Sequence, residues 1–197
     1  FKSLQRKMNL LVRKTVWVKH ILKQRDKVQS FIGFRSFSNE VENQKIIYNE
    51  FGDPLKVVSL SSEKVQTTPK NDNNVVLKMI ASPINPADIN VIQGKYPEKP
   101  KSFPSVPGRE GVAKIVSTGS RVKDLAINDN VIILSSLLGT WQTYVEVDPK
   151  TVMKIPKDLN PIDASTLRVN PCTAYRMLKD FVSLKENDVV IQNGANS

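Results

Sequence analysis

The sequence predicts an α+β fold in which a β-rich antiparallel barrel or sandwich is followed by two helices and the beginning of a parallel sheet. Short apolar stretches separated by Pro, Gly, Asn and Asp run from residue 45 to residue 156, as expected of many short strands joined by turns. Two stretches that open with Asn-Pro then show helical periodicity. The continuously apolar "DVVIQ" that follows is typical of a strand covered on both faces.

The individual strands are indicated by their apolar residues and by the turns that end them. We expect strands in "KIIYNEF", "LKVVSL", "VVLKMIASPIN", "GVAKIVSTG", "DNVIILSS", "TWQTYVEVD" and "TVMKIP". Turns are expected at Gly119-Ser120, Asn128-Asp129 and Asp148-Pro149. The polar stretch "SSEKVQTTPKNDNN" is expected to connect two strands.

One short helix is predicted among the strands, in "NPADINVIQG". Asn85 is a good N-cap, Pro86 suits the first helical position, and Asp88 lies favourably near the positive end of the helix dipole. Gly94 suits the left-handed position that follows a helix. The helix therefore lasts about two turns and delivers Tyr96 into a loop.

Two further helices are predicted in "NPIDASTLRV" and "NPCTAYRMLKDF". In the second, Asn170 can cap a helix that starts at Pro171. Its apolar face recurs at helical spacing and comprises Ala174, Met177, Leu178 and Phe181. The only cysteine, Cys172, excludes an internal disulfide and is expected to be a packed core thiol. Because the strand Asp188–Gln192 cannot form a parallel sheet alone, we expect the sequence to end inside a domain.

The net charge of +10 belongs almost entirely to residues 1–38. They hold ten of the 29 lysines and arginines and one of the 19 acidic residues, so residues 39–197 carry only +1. Apolar residues recur among the basic ones at helical steps, which indicates an amphipathic helix. We interpret residues 1–38 as a mitochondrial targeting presequence, disordered or helical, cleaved after Phe37.

Two alternatives for this basic segment stay open. A nucleic-acid-binding arm would have the same charge, but no basic surface interleaved with aromatic residues follows it. A membrane-surface anchor would also be basic and amphipathic. No apolar stretch of the sequence approaches the roughly 18 to 20 residues that span a bilayer, so we expect no stable membrane insertion. Because residues 39–197 are nearly neutral, we expect no nucleic-acid partner.

Four segments together resemble the medium-chain dehydrogenase/reductase superfamily, and within it the mitochondrial 2-enoyl thioester reductases. They are "NPADINVIQGKY", "PGREGVAKIVSTGSRV", "GTWQTYVEV" and "VNPCTAYRMLKDF" with the later "DVVIQNGANS". The resemblance covers about residues 45–197. It implies a GroES-like β-rich barrel domain, the N-terminal part of the catalytic domain, at residues 39–158. It also implies the first elements of a Rossmann-type cofactor-binding α/β domain, truncated, at residues 159–197.

The resemblance implies the NADPH-dependent reduction of trans-2-enoyl thioesters to saturated acyl thioesters, in fatty-acid synthesis in the mitochondrial matrix. The substrate would be an enoyl-CoA or an enoyl-acyl-carrier-protein, the full-length protein could form a homodimer, and the 197 residues alone would be inactive. The family's proton donor falls on Tyr96, and its cofactor contacts fall on Asn170, Asn196 and Ser197. A phenol suits proton donation because it stays protonated at neutral pH until an enolate forms.

Each of these residues also has a simpler interpretation, and the alternatives stay open. Taken alone, Tyr96 is an exposed loop tyrosine, Asn170 a helix cap, and Asn196 with Ser197 a polar turn. A quinone oxidoreductase of the same superfamily would need no tyrosine donor. A non-catalytic protein that kept the barrel for binding is the alternative from another class.

No zinc site is expected, since the sequence has one cysteine and its only histidine, His20, lies in the predicted presequence. Glu110 is expected to be structural. The chain departs from the family pattern at several positions. Arg109 stands where the family usually has asparagine, and Arg168 where it has glycine. Asn128 replaces a turn glycine, which is tolerable because asparagine accepts the left-handed conformation.

Overall fold

The computed structural model describes residues 39–193. The predicted presequence and the predicted cofactor contacts Asn196 and Ser197 lie outside these residues. Within the described range, none of the helices is long and apolar enough to cross a membrane.

The described chain begins with a two-stranded antiparallel ribbon. Strand β1 (Glu40–Tyr48) pairs along its whole length with β2 (Val58–Gln66), and the short helix α1 (Pro54–Val57) joins them. Residues 61–66 therefore belong to a strand, and the prediction that they form a connection is wrong. Most of β2 is exposed, so it tolerates polar side chains and lacks the apolar alternation that would reveal it.

The next strands form a five-stranded antiparallel sheet, as the sequence predicts. They are β3 (Val75–Ala81), β4 (Val112–Thr118), β5 (Asn130–Ile133), β6 (Tyr144–Val147) and β7 (Val152–Lys154), in the spatial order β6-β3-β4-β5-β7. A 3₁₀ turn at Pro149–Thr151 separates the last two along the chain. The turn predicted at Asn128 has φ of 70°, the left-handed conformation expected there.

Alternate residues of these strands point into one apolar core, as a strand period of two requires. The core comprises Val75, Leu77, Ala113, Ile115, Val131, Ile133, Val147 and Val152. The ribbon is attached to the sheet through Asn43, whose Oδ1 accepts hydrogen bonds from the backbone N–H groups of Thr143 (3.1 Å) and Tyr144 (2.9 Å). This arrangement confirms the β-rich barrel-type domain predicted from the sequence.

Three helices surround the site described below: α2 (Pro86–Ile92), α3 (Pro161–Thr166) and α4 (Asn170–Asp180). Asn160 caps α3 by accepting a hydrogen bond from the N–H of Ile162 at 2.8 Å. Ala164 of α3 is buried in a second apolar cluster with Val112, Ile132 and Ile155. The first helix after the barrel thus packs against the barrel's own strands. The domain boundary after residue 158 stays a prediction.

The last described segment differs from the prediction at three points. Helix α4 begins at Asn170 itself, with Val169 as the N-cap residue and no side-chain capping bond. No residue of α4 is buried, so Cys172 and the predicted apolar face are exposed. Asp188–Gln192 is not a strand, and Ile191 is exposed. A strand requires a hydrogen-bonding partner, and no strand of residues 39–193 pairs with this segment.

Candidate active site

Tyr96 lies four residues beyond the end of α2. The N–H of Lys95 donates to the carbonyl oxygen of Asn90 (2.9 Å), and the N–H of Gly94 donates to that of Val91 (3.0 Å). This pair of bonds is the Schellman motif, and Gly94 has the positive φ of 71° that the motif requires. The predicted helix end is confirmed, and the motif fixes the direction in which Tyr96 leaves the helix.

The start of α2 is held by two carboxylates. The backbone N–H of Asn85, the predicted N-cap, donates to Oδ2 of Asp88 at 2.7 Å. The side-chain amide of Asn85 donates instead to Oε1 of Glu110 at 2.8 Å. Burial raises the pKa of Asp88, and the hydrogen bond from Asn85 and the charge of Arg109 oppose this rise.

The loop that carries Tyr96 is also anchored at its far end. Phe103 packs edge-on against Tyr48 (5.5 Å between ring centres) and against Phe51 (5.1 Å). Ser105 then exchanges two backbone hydrogen bonds with Tyr48, at 2.9 and 3.0 Å. The loop 95–105 is therefore fixed at both ends, to α2 at its start and to β1 at its end.

Arg109 lies against the ring of Tyr96, with its guanidinium carbon 4.6 Å from the ring centre. Its Nη2 also forms an ion pair with Oε2 of Glu98 at 2.6 Å. The other oxygen of Glu98 accepts a hydrogen bond from Ser136 at 2.9 Å. The Arg109 hydrogen bond, together with that from Ser136, holds the pKa of Glu98 below its ordinary value, so this carboxylate is charged at neutral pH.

The backbone before Arg109 needs glycine. Gly108 has φ of 97°, and a Cβ there would lie 2.4 Å from Oγ1 of Thr140 and 2.5 Å from Cδ1 of Trp141. Both neighbours are fixed, since Thr140 donates to the carbonyl oxygen of Glu110 (2.9 Å) and the indole of Trp141 donates to that of Pro83 (3.2 Å). Gly108 therefore allows the turn that brings Arg109 to Tyr96.

Glu110 links this site to the beginning of α4. Its carboxylate is buried and accepts hydrogen bonds from Asn85 and, at 3.1 Å, from the backbone N–H of Val169. Burial raises the pKa of Glu110, and the hydrogen bond from Asn85 opposes the rise. The guanidinium of Arg168 donates to the carbonyl oxygen of Arg109 at 3.0 Å. These contacts give Glu110 a structural role and use Arg168 to hold the same junction.

The predicted site residues are thus connected only in part. Tyr96 contacts Arg109, whose neighbour Glu110 binds Val169, and Asn170 follows Val169. Val169, not Asn170, is the N-cap residue of α4, and Asn170 is exposed to solvent. The prediction that Asn170 caps α4 is therefore wrong, and its amide is available for a ligand. Among residues 39–193, no three His, Cys, Asp or Glu side chains are grouped so as to hold a metal ion.

A small cavity lies behind the Arg109 contact. Among the described residues, Oδ1 of Asp88 and Nη1 of Arg109 are buried without a hydrogen-bond partner. Both residues line a cavity of about 30 Å³, which is large enough for one water molecule. The sequence indicated that Arg109 was unusual for the family, but no local pattern signals its contact with Tyr96.

Comparison with known proteins gives a consistent result. Residues 71–157 match the alcohol dehydrogenase GroES-like domain. The mitochondrial enoyl-[acyl-carrier-protein] reductase of Rattus norvegicus is 43% identical over 164 residues, which are 83% of this chain and 43% of the relative. The protein of the same name from Arabidopsis thaliana is 43% identical over 165 residues, with the same coverage. The chain therefore spans less than half the length of these relatives.

Solved structures agree. The complex of Etr1p with NADP and crotonyl-CoA has a TM-score of 0.69 and 30% identity, covering 74% of this chain and 45% of that one. The mitochondrial 2-enoyl thioester reductase Etr1p/Etr2p heterodimer from Candida tropicalis has a TM-score of 0.66 and 32% identity, with the same coverage. A putative NADPH:quinone reductase from Bacillus thuringiensis has a TM-score of 0.64 and 30% identity, covering 75% and 44%.

The barrel and these similarities agree with one another. Over the part that it spans, the chain is similar to mitochondrial enoyl-[acyl-carrier-protein] reductases, and its residues 71–157 form an alcohol dehydrogenase GroES-like domain.

Proposed function

We propose that this chain provides the proton-donating part of an NADPH-dependent reductase of trans-2-enoyl thioesters, with Tyr96 as the acid. The observation that carries the proposal is the position of Tyr96. Its ring is half-buried at a fixed helix end, against a cation, in a chain 43% identical to an enoyl-[acyl-carrier-protein] reductase. A tyrosine on an unconstrained loop would lack these contacts.

In this reaction the protein must donate one proton to a defined carbon atom of the substrate. When bound, NADPH would supply a hydride to the β-carbon of the enoyl thioester. The electron pair displaced from the double bond is then shared between the α-carbon and the thioester oxygen. The phenol of Tyr96 donates its proton to the α-carbon, completing the saturated acyl thioester and leaving a phenolate.

The described residues fit a nicotinamide cofactor at Asn170. Its exposed amide stands at the first position of α4, joined to the Tyr96 side of the site through Val169 and Glu110. An amide both donates and accepts hydrogen bonds, so it suits the carboxamide of a nicotinamide. We propose Asn170 as a cofactor contact, and Asn196 and Ser197 as contacts with the phosphates.

The relatives also support a location and a substrate class. Their names place them in mitochondria, which agrees with the basic, amphipathic residues 1–38. We propose the mitochondrial matrix as the compartment and an enoyl-CoA or enoyl-acyl-carrier-protein as the substrate. Since a related structure is a heterodimer of two reductases, we also propose that the enzyme dimerises.

A quinone reductase is the second candidate, because a putative NADPH:quinone reductase has a similar fold at 30% identity. The two reactions make different demands on the site. Quinone reduction needs no acid aimed at a carbon atom, whereas thioester reduction does. The ordered position of Tyr96 favours the thioester.

The test compares both substrates in one protein. Residues 1–197 are joined to the C-terminal part of the Rattus norvegicus relative that this chain does not span; we call this protein the joined enzyme. NADPH oxidation is followed with crotonyl-CoA and with a benzoquinone. Our proposal predicts turnover of crotonyl-CoA with a kcat/KM well above that for the quinone. The reverse preference would favour the quinone reductase, and a folded protein active on neither would indicate a binding function.

A further inference from the structure

We propose that Arg109 is a positioning residue for Tyr96, held in place by Glu98 and Ser136. The inference rests on the proposed function, since it concerns the donor of that reaction. It goes beyond that function because it assigns the orientation of the donor to a cation in another loop.

The first support is the geometry of the contact. The guanidinium carbon lies 4.6 Å from the ring centre of Tyr96, well within the range of about 6 Å over which a cation is attracted to an aromatic face. The guanidinium is planar, so it can stack on the ring, and it stays charged while it does so. The side chain of Arg109 is only 15% exposed, so solvent screens this attraction weakly.

The second support is that Arg109 is itself fixed. Its Nη2 lies 2.6 Å from the carboxylate of Glu98, which also accepts the hydroxyl of Ser136 at 2.9 Å. Glu98 lies two residues after Tyr96. The same short loop therefore contacts Arg109 twice, through the ring of Tyr96 and through the carboxylate of Glu98. A side chain that merely covered solvent-exposed surface would not need both contacts.

The third support is the backbone that carries Arg109. Gly108 adopts a left-handed conformation against Thr140 and Trp141, and Arg168 holds the carbonyl oxygen of Arg109 at 3.0 Å. The arginine therefore projects from a rigid turn. Movement of the Tyr96 ring relative to the barrel requires breaking its contact with this turn.

The chain offers a matched control for the contact. Lys78 places its ammonium nitrogen 5.8 Å from the ring centre of Tyr144, on the sheet. This pair is also a cation beside a tyrosine, but neither residue is part of the proposed site. Lys78→Ala removes a similar attraction without touching Tyr96.

The experiment is a double-mutant cycle in the joined enzyme with crotonyl-CoA. Arg109→Ala is expected to lower kcat about tenfold, with KM within about twofold of the parent, because it loosens the donor and leaves the substrate contacts in place. Arg109→Lys keeps the charge but loses the planar stack, so its kcat should lie between the two. Lys78→Ala should leave kcat unchanged.

The cycle is completed in a Tyr96→Phe background. If Arg109 acts through the Tyr96 hydroxyl, then Arg109→Ala causes no further loss of kcat once that hydroxyl is absent. An equal tenfold loss in both backgrounds, or no loss in the parent, overturns the inference. Should Arg109→Ala not fold, Glu98→Gln tests the same point by loosening the arginine, with an expected loss of about threefold that also disappears with Phe at position 96.

The two proposals fail in different ways. If Tyr96→Phe itself leaves kcat unchanged, Tyr96 is not the donor, and the proposed function and this inference are both wrong. If Tyr96→Phe lowers kcat while Arg109→Ala does not, only the positioning role is wrong. Thermal unfolding of each variant separates these results from a loss of fold.

Discussion

Arg109 and Tyr96 meet across two loops, with the guanidinium carbon 4.6 Å from the centre of the phenol ring. Tyr96 arrives from the end of α2, and Arg109 arrives from the turn before β4. Glu98 ties the two loops together with a 2.6 Å ion pair to the same arginine. The place of the proposed donor is therefore set jointly by a helix end and by a contact between loops.

Replacing the buried Glu110 is expected to destabilise the chain at the junction with α4. In Glu110→Ala, the N–H of Val169 and the amide of Asn85 lose their acceptor in a buried place. We expect the free energy of unfolding to fall by about 1–3 kcal/mol. Urea unfolding of residues 1–197 measures it. A change below about 0.5 kcal/mol would show that these bonds do not hold the junction.

Glu110 should also give stability a characteristic pH dependence. Burial raises its pKa in the folded state above the ordinary value of 4.5, so the folded state binds this proton more tightly than the unfolded state. Its contribution is therefore fully present below pH 4.5 and is lost as the pH rises through the folded value. We expect the unfolding free energy of the parent, relative to Glu110→Gln, to decrease over that window.

Glu63 is the matched control, because its shift has the opposite sign. The hydrogen bond from Lys45, at 2.8 Å, lowers the pKa of Glu63 in the folded state. The stability of the parent relative to Glu63→Gln should therefore decrease as the pH falls through that lowered value. If the two glutamates show the same sign, the assignment of Glu110 as a buried, costly carboxylate is wrong.

Asp129 is expected to stabilise the turn before β5. Its buried carboxylate lies 2.8 Å from the ammonium of Lys154 and accepts the N–H of Ala126 at 3.0 Å. We expect Asp129→Asn to cost about 1–2 kcal/mol at neutral pH, measured by urea unfolding. The exposed Asp124→Asn, in the same connection, should change stability by less than about 0.5 kcal/mol.

The cost of Asp129→Asn should depend on pH. The hydrogen bond from Lys154 lowers the pKa of Asp129 below its ordinary value of 3.8. Its contribution is present above pH 3.8 and is lost as the pH falls through the lowered folded value. The parent and the variant should therefore converge in acid. A gap that persists unchanged in strong acid would assign the loss to packing.

Gly108→Ala tests the turn that presents Arg109. A methyl group there meets Oγ1 of Thr140 and the indole of Trp141, and φ of 97° is unfavourable for alanine. We expect a loss of about 2–4 kcal/mol in unfolding free energy. Asn128→Gly, at another left-handed turn, with φ of 70°, should cost no more than about 0.5 kcal/mol. Equal stability of Gly108→Ala and the parent would contradict the strained turn.

The sequence predicts α2 well because all its signals are local. Asn85, Pro86 and Gly94 lie within a few residues of the helix they begin and end, and the structure confirms each position. The strands of the sheet are also predicted, because they are apolar stretches with buried residues. Residues 61–66 are not, because this part of an exposed strand is mostly polar.

The contacts of the site are beyond local prediction. Glu110 holds the start of α4 by accepting the N–H of Val169, and these two residues are far apart in sequence. The pairing of Arg109 with Tyr96 also depends on how two loops fold around β4. Cys172 was predicted to be buried and is exposed. The apolar pattern of α4 predicts a helix, but it does not determine whether another element packs against that helix.

The most direct test of the central claim is the kcat of Tyr96→Phe in the joined enzyme with crotonyl-CoA. Tyr144→Phe is the control, since Tyr144 lies on β6 beside Lys78 and outside the proposed site. If Tyr96 donates the proton to the α-carbon, its loss lowers kcat by about 10²- to 10⁴-fold while the control stays active. Full activity of a folded Tyr96→Phe variant would contradict the account.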